Sequence, residues 1–284
     1  GLFVAAIPPS GERLVLVDRL EETVVYHNEK NKEYFLSTNE YQDTVFPQGF
    51  LHLEKFNSRP HPEWMYQLNG LQLQKRIIME HSKNLTAIQY VNNSEVALTL
   101  TVKPLVTYRT IHQLRKFTDW WKWGERVVAQ GIELSSNGTP FYVLCSPNGS
   151  YMSAPSWYHN FKYIKEQERG LAALEDLYCP GSFTFELKPH ESCMLLCSLE
   201  LEKNFSFKRI ADKEKDRLAE LLSVAGVLNI AKDEQWAHNF WAQLVLAADQ
   251  FLVKKPNERQ TIIAGYHWFE DWGRDTFISL PGLC

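Results

Sequence analysis

Residues 96–102, which read VALTLTV, give the clearest indication of the fold. Leu98, Leu100 and Val102 alternate with alanine and threonine, so an extended segment would have one apolar and one polar face. This period of two is typical of an antiparallel strand that is buried on one face only. The stretch therefore predicts an antiparallel β protein rather than one built of alternating strands and helices.

Similar short runs recur up to about Leu201, with turn sequences between them. Further strands are predicted at 14–17, 23–26, 85–91, 141–145, 183–187 and 193–199. The run FYVLC at 141–145 lies between SNG and PNG, which are sequences typical of hairpin turns. We therefore expect an antiparallel β-sandwich over residues 1–205.

The apolar period lengthens after the predicted sandwich. Within residues 211–226, Leu218 and Leu221 share one helical stripe and Gly226 provides a stop, which predicts a linker helix within 206–230. A second helix is predicted over residues 233–255, with Lys254 and Lys255 in its last turn. Its apolar stripe comprises Trp236, Phe240, Leu244, Ala247 or Ala248, and Phe251. An extended segment follows, and Thr276 is expected to cap a third helix.

Charge and hydropathy exclude two classes of partner. Lys and Arg number 30 against 34 Asp and Glu, for a net charge of −4, so no global positive field is available to hold nucleic acid. No uninterrupted apolar run reaches membrane-spanning length, and no basic leader precedes an apolar run. These observations predict a cytoplasmic protein without a nucleic-acid or membrane partner. The apolar start GLFVAA suggests that the chain is a fragment at its N-terminus.

The five cysteines form no CxxC pair, and their odd number argues against a closed disulfide framework. We expect reduced, mostly buried thiols. Asn-x-Ser/Thr triplets occur at Asn84, Asn92, Asn137, Asn148 and Asn204, but they matter only in a secreted chain.

The last twenty residues, GYHWFEDWGRDTFISLPGLC at 265–284, combine acids, an arginine and aromatic rings. Glu270, Asp271 and Asp275 are interleaved with Trp268, Trp272 and Arg274. Carboxylates and guanidinium groups bind hydroxyls bidentately, and indole faces stack on sugar C–H surfaces, so a sugar site is one interpretation. An ion-pair network with the tryptophans as core is the other. His267 is a lone imidazole, and no metal-ligand spacing surrounds it.

The segment GYHWFEDWGRDTFISLPGL closely resembles the opening of the catalytic region of bacterial and archaeal glycogen debranching enzymes of the amylo-α-1,6-glucosidase type. LVTYRTIHQL at 105–114 and residues 157–189 are similar to the N-terminal domain of that family. The resemblance implies a supersandwich-like β domain followed by a glucoamylase-like (α/α)6 toroid. It implies the domain limits 1–205, 206–230 and 231–284, the last being the truncated start of the toroid.

The resemblance also implies the activity: inverting hydrolysis of α-1,6-linked glucose branches of an α-glucan, with no cofactor. The implied glucans are glycogen, limit dextrin and branched maltooligosaccharides. Inversion needs one carboxylic acid and one carboxylate, about 6.5–9.5 Å apart. The family's pattern puts Arg274 and Asp275 on the hydroxyls of the terminal glucose, with Asp275 as general acid a second choice. The acid and base are expected beyond Cys284, so this chain by itself is expected to be inactive.

The remaining residues of the motif have supporting roles in this interpretation. Trp268, Trp272 and Tyr266 wall the sugar pocket, while Glu270 and Asp271 contact sugar or orient Arg274. The alternatives are a non-catalytic α-glucan-binding module and a structural fragment whose Trp-rich surface docks missing barrel helices or another subunit.

Two other groups of residues are assigned to packing or surface charge. Trp120, Trp121 and Trp123 are read as core or interdomain packing rather than a sugar platform. Arg109 is read as a surface or domain-interface ion pair. A solvated or interdomain charge network is expected for Arg169 with Glu166, Glu168, Glu175 and Asp176.

Overall fold

The structure is a computed structural model that describes residues 1–27, 32–136, 138–227, 235–255, 259–266 and 269–283. Its strands are β1 (Phe3–Ile7), β2 (Glu12–Tyr26), β3 (Lys32–Phe35), β4 (Thr38–Glu40), β5 (Val45–Gln48), β6 (Leu53–Asn57), β7 (Glu63–Leu68), β8 (Leu71–Met79), β9 (Leu85–Asn92), β10 (Leu98–Thr110), β11 (Gly124–Val128), β12 (Gly131–Ser135), β13 (Phe141–Cys145), β14 (Gly149–Lys162), β15 (Leu174–Leu187), β16 (Ser192–Ser198), β17 (Leu252–Lys254) and β18 (Gln260–Ile262). Its helices are α1 (Ile164–Glu168), α2 (Phe207–Val224), α3 (Gln235–Phe251) and α4 (Gly273–Leu283), with a 3-10 helix at Gly49–His52.

Two antiparallel sheets form the main body of the protein. One has the strand order β1-β2-β10-β15-β14, with β3 also paired to β2, and the other has the order β11-β12-β13-β16-β9-β8-β7-β6. Every pairing within them is antiparallel. The prediction of a mainly antiparallel β protein with helices toward its C-terminus is confirmed.

A large apolar core lies between the two large sheets. Leu98, Leu100 and Val102 of β10 are fully buried, whereas the threonines between them are half-buried, as the alternating pattern predicts. The same cluster contains Phe185 of the first sheet and Phe141 of the second. Because side chains from both sheets share one core, the fold is a β-sandwich.

The long strand β2 differs from the sequence prediction. The runs at 14–17 and 23–26 belong to one strand, Glu12–Tyr26, rather than to two. The intervening charged residues are held by partners: buried Glu22 accepts hydrogen bonds from Tyr90 and Lys75. Because these partners compensate the buried carboxylate of Glu22, the strand continues through this position without a turn that would bring Glu22 to the surface.

The C-terminal helices differ from the prediction at their ends. The second predicted helix is α3, but it stops at Phe251, so Lys254 and Lys255 do not lie in its last turn. Lys254 instead ends strand β17, which pairs with β18. Thr276 does not cap the last helix, because α4 already begins at Gly273 and the Thr276 amide donates to the Trp272 carbonyl.

Contacts divide the chain into two compact units. One comprises Gly1–Ile7, Glu12–Glu80 and Asn84–Phe207, and the other comprises Pro8–Gly11, His81–Lys83 and Lys208–Cys284. The first unit holds both large sheets, and the second holds α2, α3, α4 and the β17–β18 hairpin.

Candidate functional site

The C-terminal loop is built on the small hairpin of the second unit. Val253 of β17 lies opposite Thr261 of β18, and the amide of Lys255 donates to the Arg259 carbonyl at 2.7 Å. After β18 the backbone turns back on itself, with the Phe269 amide bonded to the Gly265 carbonyl at 2.8 Å. Backbone hydrogen bonds therefore join residues 264–265 to residues 269–270 ahead of α4.

Asp271 is held by the hairpin beneath it. Its carboxylate accepts from Lys255 Nζ at 2.6 Å and from Thr261 Oγ1 at 3.2 Å. Partial burial opposes ionisation, but the bonds from Lys255 and Thr261 prevail and hold the pKa of Asp271 below its ordinary value. Asp271 is therefore an ionised anchor between the loop and the hairpin.

Arg274 and Asp275 lie in the first turn of α4, where a carboxylate suits the positive end of the helix dipole. Arg274 Nε lies 3.6 Å from Asp275 Oδ2, an ion-pair distance too long for a hydrogen bond. The Arg274 side chain is 78% exposed, so most of its donors face solvent. Asp275 Oδ2 is buried and accepts no hydrogen bond from the described residues.

The aromatic residues of the loop are open to solvent. Trp272 is 53% exposed and Tyr266 is 44% exposed, and the Tyr266 hydroxyl donates to the Gln250 carbonyl. Phe269 meets Trp272 edge to face, with 6.4 Å between ring centroids. Glu270 is half-buried, and its carbonyl accepts from the Ala264 amide at 3.1 Å. Trp268 and His267 lie outside the described residues.

Among the predicted site residues, the loop brings together an exposed guanidinium, a carboxylate and exposed aromatic faces. These groups suit the binding of a polyol: Arg274 can donate to two hydroxyls at once, and Asp275 can accept from one. Lys255 and Thr261, which hold Asp271, were not predicted. Their contacts could not be predicted, because no short sequence pattern links Lys255 to Asp271, which lies beyond the β17–β18 hairpin.

The interpretation of Arg109 as a surface or interface ion pair is wrong. Arg109 is 6% exposed, and its guanidinium donates to both oxygens of Glu175, at 2.6 and 3.0 Å. Burial opposes its charge, but Glu175 and Asp18 hold the pKa of Arg109 above its ordinary value. Tyr163 also donates to Glu175, at 2.8 Å. This is a buried network within the sandwich.

The predicted solvated or interdomain network around Arg169 is also wrong in part. Arg169 pairs with Glu166 at 3.5 Å near the surface, whereas Asp176 is 6% exposed. Asp176 accepts from the backbone amides of Phe117 and Asn160, at 2.9 and 2.8 Å. It therefore fixes the path of the segment that follows β10.

The three tryptophans of that segment differ in their environments. Trp123 stacks on Tyr178 with 5.3 Å between ring centroids and packs against the sandwich core, as predicted. Trp121 is half-buried, with the guanidinium carbon of Arg115 3.8 Å from its ring centroid. Trp120 is 71% exposed, so the prediction of core or interdomain packing does not account for its position.

No cluster of three or more His, Cys, Asp or Glu side chains within the described part of the chain is arranged to hold a metal ion. None of its helices combines the length and the apolar character needed to cross a membrane.

Comparisons with known proteins bear on the identity of the chain. Residues 1–194 match the family described as glycogen debranching enzyme N terminal, and residues 246–284 match the family described as amylo-alpha-1,6-glucosidase. A search of curated proteins gives no match.

Among solved structures, the chain is similar to a bacterial glucoamylase complexed with acarbose. The identity is 9% and the TM-score 0.34, over 85% of this chain and 33% of that one. This chain thus spans about a third of the length of that glucoamylase. The assignment of the sandwich rests on the two sheets and their shared core.

The N-terminal family match covers well over half of the 284 residues, and the second match covers the loop and α4. The resemblance stated from the sequence is confirmed, and the chain belongs to the glycogen debranching enzyme family.

Proposed function

We propose that this chain is part of a glycoside hydrolase that removes α-1,6-linked glucose from glycogen or limit dextrin by an inverting mechanism. The observation that carries the proposal is the match of residues 246–284 to the amylo-alpha-1,6-glucosidase family, over the segment that holds Arg274 and Asp275. The exposed guanidinium and its neighbouring carboxylate supply the donors and acceptors that a terminal glucose requires.

In this proposal Arg274 and Asp275 hold the hydroxyls of the terminal glucose, and Trp272, Trp268 and Tyr266 form the wall of the pocket. Asp271 fixes the loop through Lys255, while Glu270 contacts sugar or orients Arg274. The general acid and base come from later loops of an (α/α)6 toroid, with Asp275 as acid the second choice. The domain limits 1–205, 206–230 and 231–284 belong to the same proposal.

Exposed apolar side chains in the second unit support a larger helical domain. Phe240 and Trp241 of α3 are 53% and 52% exposed, and Phe277 and Ile278 of α4 are 74% and 73% exposed. Apolar surface of this kind favours burial by about 25 cal/mol for each Å². Further helices of the toroid would cover these faces in the parent protein.

The cysteines support a reducing, cytoplasmic location. Cys145, Cys179, Cys193 and Cys197 are buried and free. Oxidising compartments favour disulfides, which are rare in the cytosol. Free thiols at these positions suit a cytosolic enzyme of glucan breakdown.

The deciding experiment is glucose release from a branched limit dextrin by this chain and by the gene product extended to its natural stop codon. We expect release by the extended protein only. Asp275→Asn and Arg274→Ala should each lower kcat/KM by on the order of 100-fold, since each removes charged hydrogen bonds to substrate. Asp212→Asn, at an exposed carboxylate of α2, is the matched control and should leave the rate unchanged. Equal rates for all variants would overturn the site assignment. If the extended protein releases no glucose, the enzyme proposal fails.

A further inference from the structure

A continuous aromatic surface lies on the sandwich, and none of its residues belongs to the C-terminal loop. It comprises Phe117, Trp120, Trp121, Trp123, Trp157 and His159. Neighbouring rings are in contact: centroids are 6.1 Å apart for Trp120 and Trp121 and 5.1 Å apart for Phe117 and Trp157. Trp123 and Trp157 both pack on Tyr178, so the sandwich supports the whole surface.

The outer members of this aromatic surface are uncovered. Trp120 is 71% exposed and Phe117 is 42% exposed. A core cluster would bury such rings, because a large aromatic side chain gains most when it is removed from water. An exposed indole backed by fixed rings offers a flat apolar face, which suits the C–H face of a pyranose.

Arg115 adds directed polar groups next to these rings. Its guanidinium lies over Trp121, and its Nε donates to the Tyr108 carbonyl at 3.1 Å, which fixes the plane of the group. Its terminal amino groups make no hydrogen bond to the residues that the structure describes. A planar fork held in this way can donate to adjacent hydroxyls of one sugar.

A small cleft of about 10 Å³ opens among these residues, lined by Arg115, Lys116, Trp121, Trp123 and Asp176 as well as neighbouring side chains. This volume holds about one water molecule, so a sugar would lie across the rim rather than inside. The buried indole N–H groups of Trp121 and Trp123 have no hydrogen-bond partner within the described ranges. Buried donors of this kind are commonly satisfied by an ordered water molecule.

The charges around the aromatic surface balance one another. The segment 115–125, which carries most of these rings, contains Arg115, Lys116 and Lys122 as well as Asp119 and Glu125, and Asp176 lies against it. Lys116 pairs with Asp176 at 3.2 Å and also donates to Asn160 at 2.8 Å. No net field of either sign is therefore available to hold an anion or a cation. A neutral polyol is the class of ligand that fits.

We propose that this aromatic surface is a second carbohydrate-binding site, which holds a linear α-1,4-glucan chain against Trp120, Trp121 and Arg115. One sugar ring stacks on the exposed indole of Trp120, and hydroxyls of the chain accept from Arg115. The identity of the glucan rests on the proposed function, whereas the neutral sugar class rests on the rings and charges of the surface.

The test is a calorimetric titration of the 284-residue chain with maltoheptaose, with cellohexaose as the β-linked comparison. Trp120→Ala should raise the Kd for maltoheptaose about tenfold, the effect expected for loss of one stacked aromatic face. Arg115→Lys, which keeps the charge but removes the planar fork, should also weaken binding. Phe46→Ala is the matched control, because Phe46 is a 61% exposed aromatic of the same compact unit. It should leave the Kd unchanged.

Three results would overturn the proposal: no binding by the unchanged chain, equal binding by Trp120→Ala, or equal losses in Phe46→Ala. Self-association that Trp120→Ala abolishes, without glucan binding, would make the surface an interface between copies instead. Folding of each variant is checked by its thermal unfolding, and the exposure of Trp120 makes its removal tolerable. Binding requires no catalysis, so a parent that releases no glucose would refute the proposed function and leave this result intact.

Discussion

Lys255 and Asp271 form an ion pair of 2.6 Å between the end of the β17–β18 hairpin and the segment that enters α4. Thr261 adds a second bond to the same carboxylate. Arg274 and Asp275 follow Asp271 within four residues, so the Lys255–Asp271 ion pair anchors the base of the proposed glucose-binding turn.

The first prediction concerns the pH dependence of this anchor. Its pKa in the folded chain is lowered, so Asp271 adds stability above the ordinary pKa of 3.8 and loses it as the pH falls through the folded value. Asp271→Asn should lower the free energy of unfolding by about 0.5–1 kcal/mol at neutral pH, a modest value because the pair is partly exposed. The difference from the unchanged chain should shrink as the pH falls below 3.8 and vanish once Asp271 is protonated in the folded chain, because both chains then carry a neutral group. Chemical denaturation at several pH values measures it. A difference that persists unchanged at low pH would show that Asp271 acts by packing instead.

The second prediction concerns Arg109 and Glu175. Removing one partner leaves a buried charge without compensation, so Arg109→Met should lower the free energy of unfolding by about 3–5 kcal/mol. The double variant Arg109→Met with Glu175→Leu should recover much of that loss, because it leaves neither charge behind. Urea denaturation of the single and double variants measures the coupling. Arg169→Ala, which removes a surface pair, is the control and should change stability little. If the loss in the double variant equalled the sum of the losses in the two single variants, Arg109 and Glu175 would not stabilise the fold as a pair.

The third prediction tests the packing around the 3-10 helix. A Cβ built on Gly49 would lie 2.0 Å from the Leu36 carbonyl oxygen, and backbone atoms cannot move aside as a flexible side chain can. Gly49→Ala should therefore cost about 2–3 kcal/mol of stability. Gly282→Ala in α4 is the comparison, since a Cβ there meets nothing within 4 Å. The thermal unfolding midpoints of the two variants are compared. Equal midpoints would show that the backbone around Leu36 moves readily to accommodate the added Cβ.

The fourth prediction concerns the buried thiols. Burial raises the pKa of Cys145 to about 11 and that of Cys197 to about 12, so both remain thiols at neutral pH. In a Cys284→Ser variant, a thiol reagent at about pH 8 should therefore react slowly with the native chain and rapidly after unfolding. The time course of labelling measures this, and fast labelling of the native chain would contradict the burial of these residues.

Much of the sandwich could be predicted because strand formation leaves a local mark. Leu98, Leu100 and Val102 show their common face in sequence, and the structure buries all three. The extent of β2 could not be predicted in the same way. Its middle contains Glu22, whose partners Tyr90 and Lys75 are distant in sequence, and only the tertiary fold makes that burial tolerable.

The candidate site was predictable to the extent that its residues are neighbours along the chain. Arg274 and Asp275 are adjacent, so their proximity follows from sequence alone. The start of α4 was missed because Thr276 is a good capping residue, whereas the helix begins at Gly273, ahead of it. The anchoring of Asp271 by Lys255 was missed because it depends on how the hairpin folds back.

The position of β16 in its sheet has a consequence for synthesis of the chain. β16 lies between β9 and β13, and it pairs Leu195 with Ile88. A ribosome that adds about 5–20 residues per second needs on the order of 5–20 seconds to make the intervening hundred or so. During that time the open edge of β9 is exposed to other nascent chains. We therefore expect the yield of folded protein to depend on translation rate and chaperone supply more than on the stability of the finished sandwich.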